Sequence, residues 1–167
     1  MSAPASGELI YAVRFSGIEK VKELLARGAK VNETDRTENT PLMYAAGREG
    51  NLELLRLLID KGALINEKNR YGNTALMQCV DWAQDAEMVR FLLGKGARLD
   101  ITNKSGYTAQ GIAENKGTSE IARILKEAAE IHRKIAEEKV KGDAALALAA
   151  ERQRLIKTKI RAQIRPR

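Results

Sequence analysis

The sequence predicts an all-α chain built from repeated two-helix units and closed by a C-terminal helical extension. Three observations carry this reading. Gly28-Ala29-Lys30-Val31-Asn32, Gly62-Ala63-Leu64-Ile65-Asn66 and Gly96-Ala97-Arg98-Leu99-Asp100 recur every 34 residues. Thr40-Pro41-Leu42, Thr74-Ala75-Leu76 and Thr108-Ala109-Gln110 recur in the same register. Self-similarity at a fixed period of this length is the signature of stacked repeats. Composition agrees, because a chain that is 31% charged and only 4% aromatic, rich in Ala and Leu, leans towards helices.

Each marker has a physical role. Thr40, Thr74 and Thr108 are N-cap candidates, with hydroxyls able to accept from first-turn N–H groups. Pro41 follows at the first helical position, where its missing N–H costs no hydrogen bond. Apolar residues at helical spacing (Val21, Leu24, Leu25; Leu54, Leu55, Leu58, Ile59; Met88, Val89, Leu92, Leu93) lead to Gly28, Gly62 and Gly96. A glycine at such a place can take the left-handed conformation that ends a helix. Turn-rich stretches such as Asn69-Arg70-Tyr71-Gly72-Asn73 and Asn103-Lys104-Ser105-Gly106-Tyr107 separate each Gly-Ala from the next threonine. The unit reads cap, short helix, turn, longer helix, glycine stop, extended loop.

Scarce residues narrow the chemistry. Cys79 is the sole cysteine and His132 the sole histidine, which excludes an intrachain disulfide, a thiolate cluster and a multi-histidine zinc site. No phosphate-binding glycine loop and no dinucleotide fingerprint occurs. No apolar run is long enough for a membrane span. Met1-Ser2-Ala3-Pro4 shows neither a basic n-region nor an apolar h-region of a signal peptide, so residence in the cytoplasm is the expectation. Cys79 reads as a buried structural thiol and His132 as a packing or surface residue. The pairs Glu137-Glu138 and Asp81 with Asp85 read as solvated helix faces. Neither catalysis, a cofactor nor a metal is expected.

At this point the chain resembles the ankyrin repeat family. Thr40-Pro41-Leu42-Met43-Tyr44-Ala45-Ala46, then Gly50, Leu57-Leu58 and Gly62-Ala63, follow that family's pattern almost position by position. The resemblance covers residues 7–129: an opening half-repeat at Glu8-Leu9-Ile10-Tyr11-Ala12-Val13, two full repeats, and a closing one from Thr108. It implies paired antiparallel helices stacked into a curved solenoid, with hairpin-like loops projecting from it. It departs from the pattern where Met43, Met77 and Gly111 replace the family's histidine. The period of 34 also inserts one residue between the two helices of repeats two and three. Glu38 stands where Gly72 and Gly106 stand later, which leads us to expect a different turn in the first loop. Gln84 replaces the Gly50 equivalent.

Residues 130–167 form the expected helical, basic extension. Residues 151–167 hold Arg152, Arg154, Lys157, Lys159, Arg161, Arg165 and Arg167 against one acid, Glu151, so nearly all of the net charge of +7 lies there. Glu130 with Lys134 and Glu137 with Lys141 are placed for i,i+4 support. Gly142-Asp143 reads as a helix stop and a new N-cap, so a break is expected there. A second amphipathic stretch through Leu148, Arg152, Leu155, Ile156, Ile160 and Ile164 ends near Pro166 and presents an apolar stripe that needs cover.

In ankyrin proteins the loop tips and the exposed ends of the inner helices line the concave face, where ligands bind. The resemblance therefore implies loop contacts at Arg36, Thr37, Asn39, Arg70, Tyr71, Asn73, Lys104, Ser105 and Tyr107. Inner-helix contacts fall at Arg14, Phe15, Arg48, Glu49, Asp81, Trp82, Asn115 and Lys116. Phe15, Tyr71, Trp82 and Tyr107 are four of seven aromatics, and all fall where packing does not need them. Interface hot spots favour Trp, Tyr and Arg. The expected function is a non-enzymatic module binding another protein on its concave face. The alternative is an adaptor tethered to nucleic acid or an anionic membrane by the basic tail, and the apolar stripe adds self-association.

Overall fold

The computed structural model describes the backbone of residues 4–163 and the side chains of residues 4–152 and of Arg154. Among the described residues the regular elements are helical. They run α1 (Glu8–Phe15), α2 (Ile18–Ala26), α3 (Pro41–Ala46), α4 (Leu52–Asp60), α5 (Ala75–Gln78), a π-helical turn (Cys79–Ala83), α6 (Ala86–Gly94), α7 (Ala109–Lys116) and α8 (Ser119–Gln163). The chain divides into two compact units, Met1–Glu127 and Ala128–Arg167.

The first unit is a stack of inner and outer helices. The inner set is α1, α3, α5 with its π turn, and α7; α1 packs on α2 and α3, and α3 on α4 and α5. Capping follows the sequence markers: Thr40, Thr74 and Thr108 accept from Met43, Met77 and Gly111 N–H at 3.3, 3.4 and 3.2 Å. Each glycine stop closes a Schellman motif. Gly62 N–H donates to Ile59 and Ala63 N–H to Leu58, both at 2.9 Å, with matching pairs after Gly28 and Gly96. The core is one apolar cluster through Leu9, Val13, Leu24, Leu42, Leu55, Leu58, Leu76, Met77, Met88, Leu92 and Leu125. Burying each such side chain stabilises the fold by about 1.5–3 kcal/mol.

The loops repeat one device. Asp35 Oδ1 accepts Thr37 and Asn39 N–H at 2.8 and 2.9 Å. Asn69 and Asn103 do the same for Tyr71 with Asn73 and for Ser105 with Tyr107, all at 3.0 Å. Adjacent loops are then stitched together. Arg70 N–H donates to Thr37 C=O and Lys104 N–H to Tyr71 C=O, each at 2.9 Å. Asn69 Nδ2 donates to Asn39 Oδ1 at 2.7 Å and Asn103 Nδ2 to Asn73 Oδ1 at 2.8 Å.

Glu38 and Gly142-Asp143 differ from the sequence expectation, and the π turn and the left-handed Gln84 are local features that it did not specify. Glu38 does not impose a different turn: its φ of 63° matches Gly72 at 78° and Gly106 at 80°. The Asp35 clamp and the stitching across to the next loop fix that geometry, so Glu38 is held left-handed at a cost of about 1 kcal/mol. The inserted residue of the third repeat widens the end of the inner helix into the π turn, where Gln84 N–H reaches Cys79 C=O at 2.8 Å. Gln84 itself takes φ 51°, as Gly50 takes 71°. Finally, Gly142-Asp143 breaks nothing, since α8 runs through it. One exposed glycine costs a helix only about 1 kcal/mol, and the alanine- and leucine-rich run beyond it restores that.

In the second unit, Lys134 stands 3.9 Å from Glu130 as expected, but Glu137 pairs with Arg133 at 3.6 Å instead of with Lys141. Leu148, at the start of the apolar stripe, is exposed. The side chains of Leu155, Ile156 and Ile160 lie outside the described residues, as do Ile164, Arg165, Pro166 and Arg167 entirely.

Candidate functional site

The ends of the inner helices form a groove of about 490 Å³ lined by Arg14, Phe15, Met43, Tyr44, Gly47, Arg48, Gln78 and Trp82. The two large apolar side chains on it are strongly exposed, Trp82 at 69% and Phe15 at 63%. Trp82 owes its position to the π turn. Within that turn Cys79, Val80 and Ala83 are buried while the indole stays in solvent. π-helical turns inside α-helices occur frequently at functional sites.

Arginines frame this groove and are fixed by the ends of neighbouring elements. The Arg14 guanidinium lies over the Tyr44 ring at 4.6 Å and the Phe15 ring at 4.8 Å. Arg48 Nη1 donates to Arg14 C=O at 2.8 Å and Val13 C=O at 3.4 Å, satisfying carbonyls left open at the end of α1. Tyr44 donates its hydroxyl to Asp35 Oδ2 at 2.5 Å and so ties the groove floor to the first loop. Burial raises the carboxyl pKa of Asp35, but the Tyr44 hydroxyl and the donors from Asn39 and Thr37 outweigh it, leaving the carboxyl at about 2. The Tyr44 phenol is pushed up, by burial first and then by that hydrogen bond.

A second groove, of about 280 Å³, lies where the loops meet the inner helices and is lined by Asn73, Met77, Asp81, Asn103, Ser105, Tyr107, Ile112, Asn115 and Lys116. Lys116 pairs with Asp81 at 2.7 Å and sits 5.6 Å from the Trp82 ring. The ion pair of this groove is matched internally, while Met77, Tyr107 and Ile112 supply its apolar part.

The sequence candidates separate on this geometry. Arg36, Arg70, Tyr71, Lys104 and Tyr107 are exposed on the loops, as Arg48 and Trp82 are on the inner-helix side. Thr37 and Asn73 are only half-exposed. The Thr37 hydroxyl donates to Asp35 and accepts from Asn39, and Asn73 Oδ1 accepts from Asn103, so both hold the loops together. Sequence reasoning missed Tyr44 and Gln78. Tyr44 was legible only as part of the repeat motif, because its link to Asp35 depends on how the loop folds over α3. In the tail, Arg152 and Arg154 are exposed, whereas the side chains of Lys157, Lys159 and Arg161 lie outside the described residues.

Cys79 is fully buried and its thiol is pushed up to about 12, by burial first and then by the nearby Asp85 carboxylate. Among the described residues no group of three His, Cys, Asp or Glu is placed to hold a metal ion. No helix among them is long and apolar enough to cross a membrane.

No curated protein matches the chain. The family model described as ankyrin repeats, in three copies, matches residues 9–103. Its span begins in α1 and ends at the third stitched loop, whose cap-loop-stop cycle accounts for the 34-residue period. The chain thus belongs to the ankyrin-repeat family, whose repeats generally serve as protein–protein interaction modules.

Proposed function

We propose that the protein is a non-enzymatic binding module that holds a partner protein on the face formed by its inner helices and loops, the concave face of the solenoid. The observation that carries this is the exposed pair Trp82 and Phe15 on one arginine-framed groove. Leaving the sole tryptophan in water forgoes a large apolar contribution to folding, and a binding partner recovers it. The groove is built from capped helices and stitched loops, so little conformational entropy is lost on association. Its family is typically non-enzymatic, in keeping with the inert Cys79 and the neutralised Asp81.

Linear peptides selected on the intact chain from a random display library test this reading. Trp82→Ala is expected to weaken them by about 30-fold, the equivalent of ~2 kcal/mol at a hot spot. Tyr71→Ala weakens them less, and both variants keep the wild-type melting temperature. Unchanged affinity in both variants refutes the assignment.

The basic charge of residues 151–167, with Arg152 and Arg154 exposed, supports a second reading in which the tail tethers the module to an acidic polymer or anionic membrane. Binding to anionic vesicles or to an oligonucleotide should then fall steeply with salt and vanish on deletion of residues 143–167. Indifference to the deletion removes that reading.

A further inference from the structure

The loop clamps place three cations in equivalent positions. Arg36, Arg70 and Lys104 each follow directly on the clamping residue, Asp35, Asn69 or Asn103, and recur at the 34-residue period. All three side chains are exposed, and none takes part in an ion pair, hydrogen bond or ring contact among the described residues. The backbones of the second and third are fastened to the preceding loop, through Arg70 N–H to Thr37 C=O and Lys104 N–H to Tyr71 C=O. The second and third tips hold no carboxylate to neutralise Arg70 and Lys104, whereas Arg36 shares the first tip with two, Asp35, ionised and bonded to Tyr44 and its own loop, and Glu38. In the second groove alongside, by contrast, Lys116 is already matched by Asp81.

A regularly spaced row of cations, unmatched at its second and third members and lying beside an aromatic groove, has a definite complement. We propose that the partner contributes an extended acidic segment, its carboxylates along Arg36, Arg70 and Lys104 and one bulky apolar side chain lodged between Phe15 and Trp82. This rests on the concave-face reading and adds the chemistry of the ligand. The cations govern approach and register, since exposed charges act chiefly on encounter and specificity. The aromatic groove supplies the anchor. A peptide is favoured over a nucleic acid because the most exposed aromatics of the face, Trp82 and Phe15, sit in a groove on the inner-helix side shared with Arg14 and Tyr44. Tyr71 and Tyr107 do stand beside Arg70 and Lys104, and competition by an oligonucleotide tests whether they stack bases.

The test uses the full chain and the random-peptide selection described above. Peptides enriched on the wild type should carry a net negative charge relative to the naive library. Binding of these peptides to Arg36→Glu/Arg70→Glu/Lys104→Glu should weaken by about 10- to 100-fold at ~50 mM salt and by much less at ~500 mM. A fresh selection on that variant should lose the acidic bias, while its melting temperature stays that of the wild type. Peptides that depend on Trp82 yet show no acidic bias, or that bind the reversed variant equally well, overturn the inference and leave the concave-face reading standing. Recovery of no peptide that depends on Trp82 overturns both. Displacement of the acidic peptides by a single-stranded oligonucleotide that binds the same three cations more tightly overturns it in favour of nucleic acid.

Discussion

Replacing Asp35 by asparagine isolates the contact that fastens the first loop to the groove. Asparagine already occupies the equivalent positions 69 and 103, where its Oδ1 clamps two backbone N–H groups. Asp35→Asn therefore preserves the loop turn and removes only the charge that Tyr44 engages at 2.5 Å. The carboxyl sits at about 2 instead of its ordinary 3.8. Each unit of pKa corresponds to 1.36 kcal/mol, so the ionised form is favoured by roughly 2 kcal/mol. Partial exposure of the group lowers the share that reaches stability to about 1 kcal/mol. Because the folded-state value lies below the unfolded one, this stabilisation is fully present above about pH 4 and is lost as pH falls through about 2. Urea unfolding followed by circular dichroism between pH 7 and pH 2 reads the difference between wild type and variant. The expected result is a gap of about 1 kcal/mol at neutral pH that closes in the acid window. Equal stability at pH 7, or a gap that persists unchanged at pH 2, refutes the role given to Asp35.

Two further predictions concern packing. Gly72 and Gly106 share a left-handed φ, but a Cβ on Gly72 would lie 3.0 Å from Asn103 Cα and Lys104 N, whereas one on Gly106 meets open space. Gly106→Ala should cost about 1 kcal/mol from backbone strain alone, and Gly72→Ala about 2 kcal/mol or more once the clash is added; equal losses in urea unfolding would contradict the close approach of the loops. Cys79 should resist maleimide labelling under native conditions and react rapidly only after denaturation, since burial disfavours its thiolate; rapid native labelling would show that the π turn opens.

What the sequence revealed and what it hid follow a physical division. Thr40, Thr74, Thr108 and the three glycine stops act within a few residues of themselves, so their roles were legible as local capping chemistry. The period betrayed the inserted residue, but not that it would become a π turn, because that choice depends on burying Cys79, Val80 and Ala83 together. Glu38 misled for the complementary reason. Its own preference is against left-handed backbone, and the Asp35 clamp with the neighbouring loop overrides that preference. Gly142 and Asp143 have the chemistry of a break, but a penalty of about 1 kcal/mol is too small to stop a helix with good formers on both sides. Trp82 and the tip cations were legible as positions on the repeat. The groove that Trp82 shares with Tyr44 was not, since it needs residues from three successive inner helices.

A partner seated on the groove removes Trp82 from water, and the emission of this sole tryptophan reports that step. A tryptophan-free peptide recovered by selection is titrated into the intact chain, with binding followed independently by anisotropy of a label on the peptide. The emission maximum should start at the wavelength of a solvated indole and move to the blue along the same saturation curve. A peptide that saturates the protein while the emission of Trp82 stays unchanged would contradict the account.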